Sequence, residues 1–213
     1  FVLGLLCAQE APSLPVPKKP AGTFRISILG CLRQNKPAPA LARYAQHDAD
    51  LVLWVGDSMY ADTNDPAAIA RCYEQLAKLP HFERVHTMAP QLVTWDDHDF
   101  GDNNRGGDYK IKFESKELFR QFWGLEDVVP QDRAGVYYSR TIEVGTHRLQ
   151  VILLDVRYER GKPDGTADML GEAQWQWLGE QLATPAALRL IVSGTQILLP
   201  KESGSETWNE YPK

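Results

Sequence analysis

The sequence has little cysteine, no long apolar run and no surplus of positive charge. Three cysteines in 213 residues are too few for a disulfide-rich scaffold. The longest apolar run, at residues 1–6, is much too short to cross a bilayer. Lys and Arg number 23 against 28 Asp and Glu, so the net charge is -5. Nucleic-acid binding through overall charge is therefore not expected, and a phosphate group would need local cations.

The sequence also lacks internal repeats and the GxSxG element on which many serine hydrolases rely. The run SGTQ at 193–196 does not fit that element. What is present is an ordinary globular composition, with 43% hydrophobic and 24% charged residues. The length is sufficient for one substantial domain with its own core.

The first 22 residues differ from the rest. Residues 1–8, FVLGLLCA, are typical of the end of a secretory signal peptide, with cleavage expected after Ala8. A short apolar arm packed on the domain is the alternative. Residues 9–22 are rich in Pro, Ala and Lys and predict an extended linker before a domain at 23–213. We therefore expect a secreted or periplasmic protein, or one held at the outer face of a membrane.

Cleavage after Ala8 would leave two cysteines, Cys31 and Cys72. In an oxidising compartment they could pair. Either could equally be a small buried hydrophobic residue, because free thiols are among the most buried groups in proteins.

Apolar runs and amphipathic stretches alternate along the domain. Strands are predicted at 24–30, 50–57, 90–98, 136–144, 147–155 and 188–198, and helices at 37–49, 65–79, 112–124 and 171–183. Asp65 and Pro66 are suited to begin one helix, Gly124 to end another, and Gly145 to turn a hairpin. The first half of this order, strand–helix–strand–helix–strand, predicts an α/β fold with a mostly parallel sheet covered on both faces.

Large aromatic residues lie within these predicted elements. Trp54 and Trp95 fall in strands, and Trp175 shares one helix face with Leu178 and Leu182. We expect the three tryptophans to belong to the core rather than to a carbohydrate-binding surface, because an aromatic side chain buries a large apolar area.

Potential metal ligands follow the first three strands. Cys31 follows the first, Asp57 and Tyr60 follow the second, and the run DDHD at 96–99 ends the third. In α/β sheets, ligands bind beyond the carboxyl ends of the strands, so these side chains should converge. Taken singly, Asp57 could cap a turn, the acidic run could be a solvated loop, and Cys31 and Tyr60 could be ordinary structural residues.

Taken together, the same residues favour a metal. Three carboxylates and an imidazole within four positions repel one another unless a cation neutralises them. Asn103 and Asn104 add neutral oxygen ligands of the kind that Ca²⁺ accepts. Thiolate and phenolate groups bind Fe³⁺, which drives the loss of their protons.

Five segments, in order along the chain, closely resemble the PhoD-like alkaline phosphatases, a family of metallophosphoesterases. The segments are SILGCLRQNKP, WVGDSMYAD, TWDDHDFGDNN, LLDVRYER and MLGEAQWQWLGEQL, within residues 24–211. The resemblance implies the calcineurin-like metallophosphoesterase fold, in which two mixed sheets are sandwiched by helices. It also implies a fold incomplete at the C-terminus, because no later GDxH-like ligand element is present.

The resemblance further implies a metal centre with assigned ligands. Asp57 would bridge two metals. Cys31 and Tyr60 would hold Fe³⁺ with it, while Asp97 and Asn104 would hold Ca²⁺.

It also implies catalytic groups beside the metals. His98 corresponds to the histidine that contacts the phosphoryl group. Arg157, like Arg33, is suited either to phosphate binding or to structural pairing, and the sequence leaves both open.

The function expected from this resemblance is metal-dependent hydrolysis of phosphate esters, either monoesters or diesters. The alternative is a truncated or degenerate domain that binds a metal or a partner without catalysis. We expect a phosphate-ester substrate, no specific nucleic-acid partner, no transmembrane segment and a monomeric state. We also expect the 213 residues alone to have little phosphatase activity.

Overall fold

The structure, a computed structural model, describes residues 19–164, 166–199 and 206–211. The expected signal segment at 1–8 and most of the expected linker at 9–22 lie outside these residues. In chain order the helices and strands are β1 Ile26–Leu29, α1 Pro39–Tyr44, β2 Leu51–Val55, α2 Pro66–Ala77, α3 Phe82–Thr87, β3 Gln91–Thr94, α4 Asp97–Phe100, α5 Lys112–Trp123, β4 Tyr138–Val144, β5 His147–Leu153, α6 Glu172–Leu182 and β6 Leu188–Val192. A 3-10 turn follows at Trp208–Glu210.

The first sheet consists of β1, β2 and β3, which are parallel and adjacent in that order. Leu53 of the central strand is in register with Ile28 of β1 and with Leu92 of β3. Four of the five residues of β2 are buried, as expected for a parallel strand covered on both faces. The predicted parallel sheet is therefore confirmed.

The second sheet is mixed, with the order β4–β5–β6. β4 and β5 form the predicted hairpin around Gly145, and β6 runs parallel to β5. The two sheets meet where the Thr94 hydroxyl donates a 2.7 Å hydrogen bond to the Leu154 carbonyl. The Tyr138 hydroxyl also accepts the Val93 N–H at 3.0 Å. These contacts bring the carboxyl ends of β3 and β5 side by side.

Two of the predicted helix signals are confirmed. The Asp65 carboxylate caps α2 by accepting the Ala67 N–H at 2.9 Å, with Pro66 in the first turn. Gly124 ends α5 with the left-handed φ of 64° that favours glycine.

The core is built around aromatic side chains. Trp54 and Trp95 are fully buried, as predicted. Trp54 lies 5.1 Å from Trp123 between ring centroids, and Trp95 lies 5.0 Å from Phe119. Edge and tilted contacts of this kind add to the free energy gained by burying the rings.

The predicted inward face of α6 is only partly confirmed. Leu178 is buried and Trp175 is partly buried in a second, smaller cluster. Leu182, however, is 43% exposed.

Several predicted boundaries are wrong. The strand predicted at 90–98 ends at Thr94, because the Asp96 and Asp99 side chains form a capping box that begins α4 instead. The helix predicted at 37–49 ends at Tyr44, and the strand predicted at 188–198 ends at Val192. α3 was not predicted.

Candidate metal centre

The loops that follow the three parallel strands carry the predicted ligands, and they lie together at the carboxyl end of the first sheet. Cys31 lies two residues beyond β1, Asp57 two residues beyond β2, and Asp97 three residues beyond β3. The structure brings these residues to a common cleft of about 500 Å³, which His98 and Asn104 also line. We call this space the central cleft.

Asp57 lies at the middle of the central cleft. The Tyr60 hydroxyl is 3.3 Å and the Cys31 Sγ 3.8 Å from Asp57 Oδ2. The other carboxylate oxygen, Oδ1, is buried and has no hydrogen-bond partner within the described residues. Burying a carboxylate oxygen without a hydrogen-bond partner costs free energy, and a bound cation would offset that cost. The surroundings of Asp57 are therefore those of a metal ligand.

The electrostatics around Asp57 disfavour negative charge. Burial and then the charges of Asp99, Asp96 and Asp97 raise its pKa from 3.8 to about 7. Burial, followed by the charge of Asp57, also raises the pKa values of Tyr60 and Cys31. A cation among these groups would favour the deprotonated form of all three.

A second group of ligands adjoins Asp57. Asp57, Asp97 and His98 each offer a ligand atom, and these atoms lie within 4.8 Å of one another. Burial disfavours a charged Asp97, but the Arg157 charge and the Asn104 N–H outweigh burial and lower the Asp97 pKa. That N–H donates to Asp97 Oδ2 at 2.8 Å.

The imidazole of His98 is fixed in place by two neighbours. Its Nδ1 lies 2.5 Å from Oδ1 of Asp62. Its ring also packs against the Tyr60 ring, with centroids 3.9 Å apart. The Arg33 guanidinium also lies over the Tyr60 ring, 4.0 Å from its centroid. Asp62 was not singled out from the sequence, where it is one more acidic residue in a loop.

Backbone strain is concentrated at this site. Among the described non-glycine residues, five have positive φ. Three of them line the central cleft, Cys31 at 54°, Asp57 at 53° and Asn104 at 60°, and a fourth, Asp62 at 46°, pairs with His98. Such conformations are unfavourable for side-chain-bearing residues and persist where surrounding contacts impose them. Their clustering here is typical of a functional site.

Buried hydrogen bonds to the Asp99 carboxylate stabilise the loop that carries Asp57. Asp99 is fully buried and accepts from the Ser58 hydroxyl, from the Met59 N–H at 3.2 Å and from the Asp96 N–H at 3.1 Å. Burial raises the Asp99 pKa to about 6 against the opposing effect of these donors. Asp99 therefore joins the loops after β2 and β3, and is a supporting residue rather than a ligand.

The structure places Arg157 behind the carboxylates, where it is 1% exposed. Its Nε donates to Asp96 at 2.5 Å and its Nη2 to Glu206 at 2.7 Å. Nη2 also lies 3.8 Å from Asp97. Of the two roles that the sequence left open for Arg157, these contacts favour structural pairing over direct phosphate binding. Glu206 was not singled out from the sequence.

The two cysteines of the described residues do not form a disulfide. Cys31 is exposed at the central cleft, Cys72 is half-buried, and both carry free thiols. The Cys72 Sγ lies 3.9 Å from the Tyr60 carbonyl oxygen.

The side chains of the central cleft fit a metal centre. Carboxylate and amide oxygens suit a hard cation such as Ca²⁺, and the thiol and phenol next to Asp57 suit a trivalent iron. Asp57 belongs to both ligand groups, because its Oδ2 contacts Cys31 and Tyr60 and it lies within 4.8 Å of ligand atoms of Asp97 and His98.

Comparison with known proteins identifies a family and a similar fold. A family model described as PhoD-like phosphatase matches residues 34–210. A solved structure titled "Structure of PhoD" matches with a TM-score of 0.71 and 18% identity, covering 94% of this chain and 48% of that one. The chain thus spans about half the length of that structure, and the likeness supports the expected α/β metallophosphoesterase-like fold.

None of the curated proteins compared with the chain matches it. Within the described residues, no helix is long and apolar enough to cross a membrane.

Proposed function

Because the chain belongs to the PhoD-like phosphatase family, we propose that its central cleft binds two metal ions and hydrolyses phosphate esters, monoesters or diesters. One ion, Fe³⁺, would be held by Cys31, Asp57 and Tyr60. The other, Ca²⁺, would be held by Asp97 and Asn104, with Asp57 shared between them. The observation that carries this proposal is the buried, partly unpartnered Asp57 carboxylate between the two ligand groups.

The metal ions would supply positive charge that stabilises the phosphoryl oxygens during displacement. The chain's own residues contribute orientation and proton transfer. An imidazole that donates its Nδ1 proton to Asp62 can carry a second proton on Nε2. From Nε2, His98 would give that proton to the departing alkoxide or hold it towards a phosphoryl oxygen. Arg33, exposed beside Tyr60, would be the nearer of the two arginines to a substrate.

The proposal extends to the parts of the chain outside the central cleft. Residues 1–8 would be a signal-peptide remnant, 9–22 a linker and 23–213 the metallophosphoesterase domain. The protein would act outside the cytoplasm, either free or at the outer face of a membrane, and as a monomer.

The decisive test replaces the central ligand. Asp57→Asn keeps the size of the side chain but removes the charge that both ions share. We expect the complete gene product carrying Asp57→Asn to lose most bound metal by elemental analysis. Hydrolysis of p-nitrophenyl phosphate and bis(p-nitrophenyl) phosphate should fall by at least about 100-fold.

Asp127→Asn is the matched control, because Asp127 is exposed and does not line the central cleft. It should leave metal content and turnover unchanged. A wild-type protein that binds metal but hydrolyses neither ester would favour the alternative, a metal-binding domain without catalysis. Near wild-type turnover by Asp57→Asn with unchanged metal content would refute the proposal.

A further inference from the structure

We propose that Arg160 is a positioning residue, which holds Asn104 and Asp97 in the arrangement that the second metal ion requires. This inference rests on the proposed function. Arg160 lies in the segment between β5 and α6, far from Asn104 in sequence, and is 4% exposed. It does not line the central cleft. Its action would therefore be indirect, through the loop on which Asn104 lies.

The loop at 104–107 lies directly on Arg160. Nη2 donates to the Asn104 carbonyl at 2.6 Å and to the Arg105 carbonyl at 3.2 Å. The Arg160 backbone carbonyl accepts the Gly107 N–H at 2.8 Å. A Cβ on Gly106 would fall 2.6 Å from the Arg160 carbonyl oxygen and 3.2 Å from Nε. The side chain and the backbone of Arg160 thus both bind the loop at 104–107 and fix its position. At Gly106 the loop lies so close to Arg160 that only glycine fits.

The contact with Asn104 reaches the metal ligands. Asn104 has the left-handed φ of 60°, and its N–H donates to Asp97 Oδ2. The Arg160 guanidinium donates to the Asn104 backbone carbonyl, and the Asp97 carboxylate accepts from the Asn104 backbone N–H. Since the left-handed conformation is unfavourable unless its surroundings impose it, these two contacts set the direction in which the Asn104 side chain projects.

Glu206 holds the guanidinium in turn. Its Oε1 accepts from Arg160 Nη1 at 2.6 Å and its Oε2 from Arg157 Nη2 at 2.7 Å. A single carboxylate thus joins the arginine beneath the Asn104 loop to the arginine paired with Asp96. Because Glu206 offsets part of their charge, the two buried guanidinium groups can approach a cation site with less repulsion.

The planar fork of arginine explains why lysine would not serve. Nη1 and Nη2 donate in different fixed directions, one to Glu206 and the other to two carbonyl groups. A lysine ammonium carries the same charge but is a flexible point donor without this geometry. Arg160→Lys therefore tests geometry while conserving charge.

The experiment measures metal binding directly. Calcium is titrated by calorimetry into the complete gene product after iron loading, for wild type, Arg160→Lys and Glu206→Gln. We expect both variants to bind Ca²⁺ about 10–100-fold more weakly, as is typical when residues that orient metal ligands are changed. The iron-dependent visible absorption should stay unchanged, because Cys31 and Tyr60 contact Asp57 Oδ2, whereas Arg160 acts on the loop at 104–107. High Ca²⁺ should restore turnover. Because Ca²⁺ also stabilises any folded state that binds it, urea unfolding without Ca²⁺ must show that the variants remain folded under the conditions of the titration.

The controls separate the possible failures. Arg105→Ala removes an exposed side chain of the same loop, paired with Asp102, and should bind Ca²⁺ like wild type. Glu206 lines the central cleft itself, so a loss in Glu206→Gln alone would not assign the effect to Arg160. If Arg160→Lys fails to fold by circular dichroism, Gly106→Ala decides, because it pushes the loop away from Arg160 without a change of charge. Wild-type Ca²⁺ affinity in the folded variants would overturn the positioning role and leave the proposed function intact. A wild-type protein that binds no metal would refute the proposed function and, with it, this inference.

Discussion

Oδ1 of Asp62 lies 2.5 Å from Nδ1 of His98, across 36 positions of sequence. Asp62 has a φ of 46°, so the backbone is held in an unfavourable conformation where it presents this carboxylate. His98 is largely shielded, with 15% of its side chain exposed, whereas Asp62 is 44% exposed. The pair fixes the orientation of the imidazole and directs its Nε2 away from Asp62.

Asp62→Asn should reduce turnover without removing metal. The amide keeps the size of the side chain and tolerates positive φ, but its oxygen forms a weaker hydrogen bond to the imidazole than a carboxylate does. We expect kcat to fall by about 10–100-fold, with metal content unchanged. The measurement is steady-state hydrolysis of p-nitrophenyl phosphate over a range of pH, together with elemental analysis.

Asp65→Ala provides the control for this prediction. Asp65 lies in the same segment but caps α2, so its loss should lower stability by about 1 kcal/mol and leave kcat unchanged. An Asp62→Asn variant with unaltered kcat and pH profile would show that His98 does not depend on Asp62.

The contribution of Asp57 to the free energy of unfolding of the metal-free protein should fall as pH rises. The pKa of Asp57 is 3.8 ordinarily and about 7 in the fold. Between these values the native state holds a proton that the unfolded chain has released, so stability is lost as pH rises from about 4 to 7. In excess chelator, Asp57→Asn should therefore gain stability relative to wild type between pH 5 and pH 8, by about 1–2 kcal/mol.

Urea unfolding at both pH values checks this difference. His47 and His86, whose pKa values are lowered by burial, act in the opposite sense over part of the range. Comparison with the variant removes their contribution because both proteins contain them. Parallel pH profiles for the two proteins would show that Asp57 does not hold a proton in the fold.

The sequence was sufficient for the layout of the fold and for the convergence of the strand ends. Hydrophobic runs identify β1, β2 and β3, and their parallel pairing brings Cys31, Asp57 and Asp97 to one edge. Local signals such as the Asp65 cap also act within a few residues and can be recognised from sequence. By contrast, the predicted strand at 90–98 ends at Thr94 and α4 begins at Asp97, because Asp96 and Asp99 bond to each other's backbone, which apolar periodicity does not reveal.

Long-range polar contacts were the part that the sequence could not supply. Glu206 is 49 positions from Arg157 and 46 from Arg160, yet it bonds to both. Nothing in its local sequence distinguishes it from an exposed glutamate. Such pairs form because the segments that follow β5 and β6 meet where these two strands pair, so they become visible only in three dimensions.

Tyr60→Phe should remove a phenolate-to-iron absorption band. The Tyr60 hydroxyl points to Asp57 at 3.3 Å, and burial together with the Asp57 charge raises its pKa. Only a strongly charged ion would deprotonate it near neutral pH. Titration of Fe³⁺ into wild type, followed by visible spectroscopy, should give a band that Tyr60→Phe lacks.

Tyr44→Phe is the matched control, since the Tyr44 hydroxyl donates to the Ile28 carbonyl and has no contact with Asp57. It should give the wild-type spectrum. An identical band in Tyr60→Phe would assign the absorption to another ligand, such as Cys31, and remove Tyr60 from the iron site.

Gly194→Ala should destabilise the fold and disturb the second metal position. A Cβ at Gly194 would lie 2.6 Å from the Trp95 carbonyl oxygen and 2.8 Å from the Asp96 Cβ. Trp95 is fully buried, so its backbone cannot retreat cheaply. The next residue, Thr195, donates to Asp96 at 3.1 Å, and movement there would alter the Asp96–Arg157 pair beside Asp97. We expect a loss of about 1–3 kcal/mol.

Gly179→Ala gives the opposite expectation for the same chemical change. Gly179 lies within α6 and has open space where a Cβ would project, so alanine should increase stability by about 0.5–1 kcal/mol through its higher helix propensity. Urea unfolding of both variants, with Ca²⁺ titration of the folded proteins, distinguishes the two environments. If Gly194→Ala matched wild type in both stability and Ca²⁺ affinity, the close approach of Gly194 to Asp96 would have no role in shaping the site.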